Sequence, residues 1–220
     1  MAIRAIVTGV TGMVGEGVVH QCLNHPEVES VLVVGRRTCN IHHPKLREII
    51  HSDFFDFSAI EDQLSGYNAC YFCLGTSSIG MKEEDFRHIT YELTLTFAQS
   101  LAKKNKDMTF CYVSGAGTDS TEKGRSMWAR VKGRTENDLL KLPFKQAFMF
   151  RPGYIHPTKG LKNTKKAYVF VKPFYPIWKA LFPGFVSSLR ELGLAMINVT
   201  INGYDQVILH SRDIVKAAKP

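Results

Sequence analysis

The fold is decided by one stretch near the N-terminus, Thr8-Gly9-Val10-Thr11-Gly12-Met13-Val14-Gly15. It follows an apolar run at residues 2–8 and precedes residues 13–24, whose apolar side chains have helical spacing. Glycines let the chain turn sharply and approach a ligand closely, and a helix N-terminus offers free N–H groups and a positive dipole end. The spacing Gly-x-x-Gly-x-x-Gly differs from the commoner Gly-x-Gly-x-x-Gly, but the strand–turn–helix context is the one that this motif requires. We therefore predict a dinucleotide phosphate-binding turn with contacts from Gly9, Thr11, Gly12, Met13, Val14 and Gly15.

Beyond this turn, strand-like and helix-like segments alternate along the chain. The predicted strands are residues 2–8, 31–34, 46–51, 69–74, 108–113 and 147–150. The predicted helices are residues 13–24, 57–64, 83–104 and 124–141. Near-continuous apolar strands separated by helices are typical of a parallel sheet that is covered on both faces. The pattern predicts a single α/β domain over residues 1–220, with a Rossmann-type doubly wound parallel sheet.

The character of the chain changes after Arg151, where prolines interrupt an aromatic and basic segment. Residues 188–199 have helical spacing, residues 207–209 resemble a short strand, and a terminal helix is expected from Asp213 onward with Ser211 as its N-cap. We interpret residues 151–220 as a small C-terminal substrate lobe that returns to the edge of the sheet.

Composition places the chain among ordinary globular proteins, with 45% apolar and 22% charged residues. We expect no secretory leader and no transmembrane segment, since no apolar stretch of about 20 residues occurs in the sequence. Five cysteines, an odd number without a regular framework, indicate reduced thiols and favour a cytoplasmic protein. Cys70 and Cys73 resemble a CxxC pair, but residues three apart on a strand point to opposite faces, so we expect core cysteines and no metal site.

The net charge of +8 is concentrated in the last third of the chain. Residues 1–150 contain 17 Lys+Arg and 17 Asp+Glu, whereas residues 151–220 contain 11 and 3. This asymmetry favours an anionic partner such as a phosphorylated substrate or an acidic membrane surface, and a plain solvated basic surface is the alternative. Nucleic acid is not expected because no nucleic-acid motif accompanies the charge.

The end of the second strand indicates which dinucleotide binds. An NAD-preferring site places Asp or Glu there to bind the ribose hydroxyls, but this chain has Gly35-Arg36-Arg37. Two guanidinium groups can pair with a 2′-phosphate, so NADP(H) is favoured over NAD(H), although both arginines could be ordinary loop charges. Asp53 and Phe54 lie where adenine contacts are expected, and Asp53 could equally cap the next helix.

Together with further motifs, these residues resemble the short-chain dehydrogenase/reductase superfamily. The similarity is greatest to its atypical, extended-like branch, which includes Tat-interacting-protein-like and nucleoside-diphosphate-sugar epimerase-like proteins. The further motifs are Cys73-Leu74-Gly75-Thr76-Ser77, Val113-Ser114-Gly115-Ala116-Gly117, Trp128-Ala129-Arg130-Val131-Lys132-Gly133 with Glu136, and Phe150-Arg151-Pro152-Gly153.

The resemblance implies roles for individual residues. Leu74, Gly75 and Thr76 would line the nicotinamide ribose, and Pro152 and Gly153 would lie near the nicotinamide carboxamide. Ser114, or one of the small residues after it, occupies the region of the catalytic Ser/Thr. Lys132 matches the lysine of the Tyr-x-x-x-Lys motif, where it binds ribose hydroxyls and lowers the pKa of the tyrosine.

The tyrosine of that motif is replaced by Trp128. An indole N–H donates a hydrogen bond but has no deprotonated form near neutral pH, so Trp128 cannot act as a general acid or base. A substitute acid is one interpretation, with Tyr154 the nearest candidate and Ser114 or His156 as others. The proton could also come from water or the substrate, or catalysis could be lost.

Two hypotheses on function remain open at this stage. The first is an NADP(H)-dependent oxidoreductase or epimerase-like enzyme that acts on an unknown small molecule. The second is a non-catalytic NADP(H)-sensing protein that presents its basic lobe to a partner.

The aromatic residues 168–185 are expected to form a lid over an apolar pocket, with a peripheral membrane contact as the alternative. The chain is expected to be a monomer or a homodimer, and the resemblance implies that a homodimer would pair through helices 83–104 and 124–141.

Overall fold

A computed structural model describes residues 2–158, 160–163 and 184–219 of the chain. Its main sheet contains seven strands, and each hydrogen-bonded pair of neighbours in it is parallel. These strands are β1 (Ile3–Thr8), β2 (Val28–Gly35), β3 (Leu46–Ile50), β4 (Ala69–Phe72), β5 (Thr109–Val113), β6 (Gln146–Arg151) and β9 (Ile208–His210). Their order across the sheet is β3-β2-β1-β4-β5-β6-β9, so the chain runs outward from β1 in both directions. This confirms the predicted doubly wound Rossmann-type sheet.

Helices cover both faces of this sheet, as its buried strands require. In the described residues, the α-helices are α1 (Met13–Asn24), α2 (Glu83–Arg87), α3 (Leu93–Lys104), α4 (Met127–Leu139), α5 (Leu189–Asn202) and α6 (Ser211–Ala217). Helices α2 and α3 are joined by a π-helical turn (His88–Glu92), so the predicted helix 83–104 is continuous but widened in its first half. The short predicted helix 57–64 is a 3₁₀ helix (Ser58–Leu64).

Two hydrophobic clusters, one on each side of the sheet, form the core. One cluster contains side chains from α1, α5 and α6, and the other contains side chains from the 3₁₀ helix, α3 and α4. Cys70 belongs to the second cluster, whereas Cys73 packs against the first. The two thiols therefore lie on opposite sides of the sheet, as the alternation of strand side chains predicts.

Two predicted helix starts are wrong by a few residues. Helix α4 begins at Met127 and not at residue 124, because the Gly124 N–H donates to Asp119 Oδ2 (2.7 Å) and the Gly124 carbonyl accepts from Arg130 (2.6 Å), which hold Gly124 in the preceding loop. Helix α6 begins at Ser211, and its N-cap is His210. The Ser211 hydroxyl accepts a hydrogen bond from the Gly153 N–H (2.9 Å), so it ties the helix to the end of β6.

The C-terminal residues do return to the sheet edge, where β9 pairs with β6. The structure adds one feature that the sequence pattern did not predict, a small parallel sheet of β7 (Tyr154–His156) and β8 (Val186–Ser188). Residues 164–183, which contain most of the expected lid or membrane patch, lie outside the described residues. Within the described part of the chain, no helix is long and apolar enough to cross a membrane.

Candidate functional site

The glycine turn between β1 and α1 is shaped by two close backbone contacts. Gly9 has a φ of 71°, and a β-carbon there would lie 2.5 Å from the Cys73 carbonyl oxygen. A β-carbon at Gly15 would lie 2.4 Å from the Gly9 oxygen. Gly15 therefore lets α1 pack against the turn, and Gly9 lets the turn pack against the end of β4.

Gly12 has a different function, because it faces a cavity. It is the N-cap of α1, and no side chain among the described residues caps this helix end. A cavity of about 520 Å³ opens there, lined by Gly12, Met13 and Val14 on one side. The backbone N–H groups and the positive dipole end of α1 thus meet a space that can hold an anionic group.

The remaining walls of this main cavity come from the ends of neighbouring strands. Residues 73–77 follow β4, residues 113–116 follow β5, and Pro152 and Gly153 follow β6. Lys132 of α4 also lines this cavity. The structure therefore brings Leu74, Gly75, Thr76, Ser114, Lys132, Pro152 and Gly153 together at one cavity, at the carboxyl edge of the parallel sheet.

A second, smaller cavity of about 40 Å³ adjoins the other side of the turn. It is lined by Gly9 and Thr11, by Gly35 with Arg36 and Arg37, and by Phe54. Leu74 borders both cavities, so they lie side by side along the sheet edge. Both arginines are exposed. Asp53 is not among the lining residues, because its carboxylate accepts the Phe55 N–H (2.8 Å) and forms a local turn.

Lys132 reaches the main cavity from α4 and is held by a backbone oxygen. Its Nζ donates to the Ser114 carbonyl at 2.6 Å. It also borders a further cavity of about 140 Å³ together with Arg36, Tyr112 and Thr94. Burial lowers the pKa of Lys132 to about 8, against the opposing attraction of the Glu136 carboxylate.

A buried ion pair lies behind the Ser114 side chain. Glu136 is fully buried one helical turn after Lys132, and Arg151 at the end of β6 pairs with both of its carboxylate oxygens. The Ser114 hydroxyl donates to Glu136 Oε1 at 2.5 Å and lies 3.1 Å from the Phe150 carbonyl oxygen. Because a carboxylate and a carbonyl only accept, the single hydroxyl proton of Ser114 is committed to them. A ligand in the cavity can therefore donate to the Ser114 oxygen but cannot receive its proton.

Comparison with known proteins agrees with this geometry. A sequence model of the NAD dependent epimerase/dehydratase family matches residues 5–125. The chain belongs to this family. Among curated proteins, it is 28% identical over 158 residues to "Protein FMP52-2, mitochondrial" of Scheffersomyces stipitis, which covers 70% of this chain and 67% of that protein. It is 27% identical over 218 residues to "Protein fmp52-2, mitochondrial" of Neosartorya fischeri, which covers 98% of this chain and 85% of that one.

Two solved enzyme structures have the same fold. The UDP-N-acetylglucosamine 4-epimerase of Methanobrevibacter ruminantium superposes with a TM-score of 0.69 at 15% identity, covering 96% of this chain and 77% of that one. The Bordetella bronchiseptica enzyme WbmF in complex with NAD⁺ superposes with a TM-score of 0.65 at 17% identity, covering 97% and 76%. At this level of identity the likeness establishes the Rossmann-type fold.

The names of the relatives contradict the cytoplasmic location expected from the cysteines. The relatives from Scheffersomyces, Candida and Neosartorya are all named mitochondrial proteins. All five cysteines are free thiols in the structure. Free thiols indicate a reducing environment, but they do not distinguish one reducing compartment from another, which is why the prediction of a cytoplasmic protein was wrong.

The family match ends before α4, so the departure at Trp128 lies outside the matched residues. Trp128 is not among the residues that line the main cavity. Its ring lies over the loop after β5 instead, where a β-carbon at Gly117 would be 3.3 Å from Trp128 Cη2. The indole thus packs against the loop that carries Gly115 and Ala116 and does not take the place of a cavity-facing phenol.

Tyr154 and His156, the proposed substitute acids, are not brought to the main cavity either. The Tyr154 hydroxyl and His156 Nδ1 are buried from solvent in β7. Of β7, only Ile155 lines the cavity, because strand side chains alternate between faces. Of the three residues predicted to be catalytic, the structure groups Ser114 with Lys132 and leaves Tyr154 apart.

The sequence did not predict that Glu136 and Arg151 form a buried ion pair beside Ser114. The sequence does contain a relevant pattern: Glu136 follows Lys132 by four residues on a predicted helix, and Arg151 ends a predicted strand. This pattern places Lys132 and Glu136 on one helix face, but it does not predict that Glu136 and Arg151 are buried together beside Ser114.

Proposed function

We propose that the chain binds NADP(H) along the two adjoining cavities and uses it as an oxidoreductase or epimerase-like enzyme on a small molecule. The observation that carries this proposal is the continuous edge formed by the glycine turn, with arginines at one end and with Ser114 and Lys132 at the other. Membership in the NAD dependent epimerase/dehydratase family supports it.

The residues present fit a dinucleotide. The N-terminus of α1 has no side-chain cap and Gly12 has no β-carbon, so both suit a pyrophosphate. The main cavity of about 520 Å³ has a volume typical of small-molecule binding sites. Gly9, Thr11, Arg36, Arg37 and Phe54 would hold the adenosine end. Leu74 to Thr76, Lys132, Pro152 and Gly153 would hold the nicotinamide riboside end.

The preference for NADP(H) is supported by the charge at the adenosine end. Arg36 and Arg37 are the charged side chains that the structure describes around the smaller cavity, and Gly35 brings no carboxylate. A 2′-phosphate could pair with two guanidinium groups. A 2′-hydroxyl would find no carboxylate among these lining residues to accept its hydrogen bond.

A bound NADP(H) supplies a hydride donor or acceptor. This chain's residues would bind and orient it, and Ser114 would accept a hydrogen bond from a substrate hydroxyl, since its own proton is committed to Glu136. Lys132 would hold ribose hydroxyls next to the reacting group.

Thermal unfolding in the presence of NADPH, NADP⁺ and NADH tests cofactor binding, because a ligand that binds the native state raises the Tm. We expect a larger rise with NADPH than with NADH, and loss of this preference in Arg36→Asp. Arg125→Asp, an exposed arginine away from the cavities, is the matched control and should retain it. A larger rise with NADH in the native protein would overturn the NADP(H) assignment.

The alternative is a non-catalytic NADP(H) sensor, which is favoured by the presence of Trp128 where the family has a tyrosine. Measurement of turnover distinguishes the enzyme from the sensor. NADPH oxidation should be followed against sugars, quinones and ketones. Oxidation above the rate without substrate supports the enzyme. Binding of NADPH without turnover of any carbonyl, together with an NADPH-dependent change in affinity for a partner, supports the sensor.

A further inference from the structure

The main cavity contains few side chains that can exchange a proton. Among its described lining residues, Cys73 and Lys132 are the two with titratable side chains. Burial raises the pKa of the Cys73 thiol far above its ordinary value, so this group stays protonated and is a very weak acid. Ser114 cannot give up its proton to a ligand, because it is held by Glu136.

Lys132 is, by contrast, placed to move a proton. One N–H of its Nζ points to the Ser114 carbonyl at 2.6 Å, which fixes the amine at the wall of the cavity. An ammonium group has three N–H donors, so two remain for a ribose hydroxyl and a substrate oxygen. The Ser114 carbonyl and hydroxyl thus orient the Lys132 amine and a substrate hydroxyl toward the same space.

We propose that Lys132 is itself the general acid–base of the reaction, in the place that a tyrosine would otherwise take. This inference rests on the proposed oxidoreductase function. In reduction, a hydride from NADPH forms the new C–H bond at the carbonyl carbon, and the carbonyl π electrons move to the oxygen. The Lys132 ammonium gives a proton to that oxygen, which leaves alcohol, NADP⁺ and a neutral amine. The amine then takes a proton from solvent.

The charges around Lys132 suit this role. Glu136 lies on the same helix, and its charge is paired with Arg151 of β6, which limits its pull on the amine. Arg36 and Tyr112, whose pKa is raised by burial, border the cavity of about 140 Å³ with Lys132, and the side chains that line this cavity from the π-helical turn and α3 are uncharged. Burial brings the pKa of Lys132 to about 8, near the pH at which a general acid is most effective.

Lys132→Arg is the decisive variant. Arginine keeps N–H donors for the ribose and for Ser114, but it does not deprotonate. We expect NADPH affinity to change by less than about tenfold and kcat for carbonyl reduction to fall by about 10²-fold or more. Lys123→Arg, an exposed lysine in the loop before α4, should change neither quantity.

Two further measurements are specific to the proton. The kcat of the wild type for reduction should fall as the pH rises through about 8, since the ammonium is the reactive form. Acetylation of Lys132 by acetic anhydride, followed by mass spectrometry as a function of pH, should have a midpoint near pH 8.

The outcomes separate this role from the proposed function. Wild-type turnover that survives in Lys132→Arg with an unchanged pH profile would refute the role of Lys132 alone. A Lys132 midpoint above about 10, the ordinary range for lysine, would also refute it. An absence of wild-type turnover with every carbonyl would refute the oxidoreductase and this role together, and NADPH binding would then remain as a separate result.

Discussion

The β1–α1 turn and helix α4 border the same cavity, but they meet it with different parts of the chain. The turn presents backbone N–H groups and glycines, within seven consecutive residues from Gly9 to Gly15. Helix α4 presents Lys132, whose position depends on contacts with Ser114, and the neighbouring Glu136 is paired with Arg151 from another strand. The turn side of the cavity, the proposed binding end, is thus made of local backbone, whereas the α4 side, the proposed reacting end, is made of side chains that distant segments of the chain position.

The largest expected effect comes from breaking the ion pair behind α4. Glu136→Ala leaves Arg151 buried without its carboxylate, so we expect the free energy of unfolding to fall by about 3–5 kcal/mol. Urea unfolding followed by circular dichroism measures it. Glu84→Ala, on the exposed side of α2, should cost less than about 1 kcal/mol. Equal losses in the two variants would mean that the buried pair does not support the reacting end.

A smaller loss of stability is expected in the turn. Gly15→Ala places a β-carbon 2.4 Å from the Gly9 oxygen, so α1 must shift, at a cost of about 1–3 kcal/mol, and NADPH affinity should be lost with it.

Gly75→Ala is the matched control for this variant. Its β-carbon meets no atom within 4 Å but projects at the wall of the main cavity, so stability should stay within about 0.5 kcal/mol while NADPH affinity falls. Calorimetric titration and thermal unfolding separate the two effects. Retained affinity in Gly15→Ala would contradict the backbone-built binding end.

The charge of Lys132 should make stability depend on pH. Its folded pKa of about 8 lies below that of an unfolded lysine, so the unfolded chain binds more protons between these values. The stability of the wild type relative to Lys132→Met should therefore rise with pH above about 8, by about 1 kcal/mol for each unit up to the ordinary lysine value. Urea unfolding of both proteins at pH 7 and pH 10 gives this difference. A gap that is independent of pH would contradict the burial of the ammonium.

The smallest effect is expected at Trp128. Because the indole lies against Gly117 and does not line the main cavity, Trp128→Tyr should leave turnover of the best carbonyl substrate within about threefold of the wild type. Trp128→Phe is the control for loss of the indole N–H and should behave alike. A gain of tenfold or more in Trp128→Tyr but not in Trp128→Phe would mean that a phenol at this position does reach the substrate.

Much of the fold was predictable because its signals are local. The six strands of the main sheet before β7 were found within three residues of their observed bounds, since buried parallel strands are continuous apolar runs. The start of α4 and the cap of α6 were not predicted correctly, because the Gly124 N–H donates to Asp119 and the Gly153 N–H donates to Ser211, contacts that join separate segments. The pairing of β7 with β8 joins residues about 30 apart and leaves no trace in either three-residue strand.

The sequence by itself determined that a strand, a glycine turn and a helix open a doubly wound sheet, and that arginines follow the second strand. These features are set by backbone geometry and by periodicity, which short stretches of residues carry. Only the tertiary structure decided that Ser114 and Lys132 share a cavity, that Tyr154 and Trp128 do not line it, and that the Ser114 hydroxyl donates to Glu136. Those facts depend on which strand ends lie side by side and on which charges are buried together, and no local pattern encodes either.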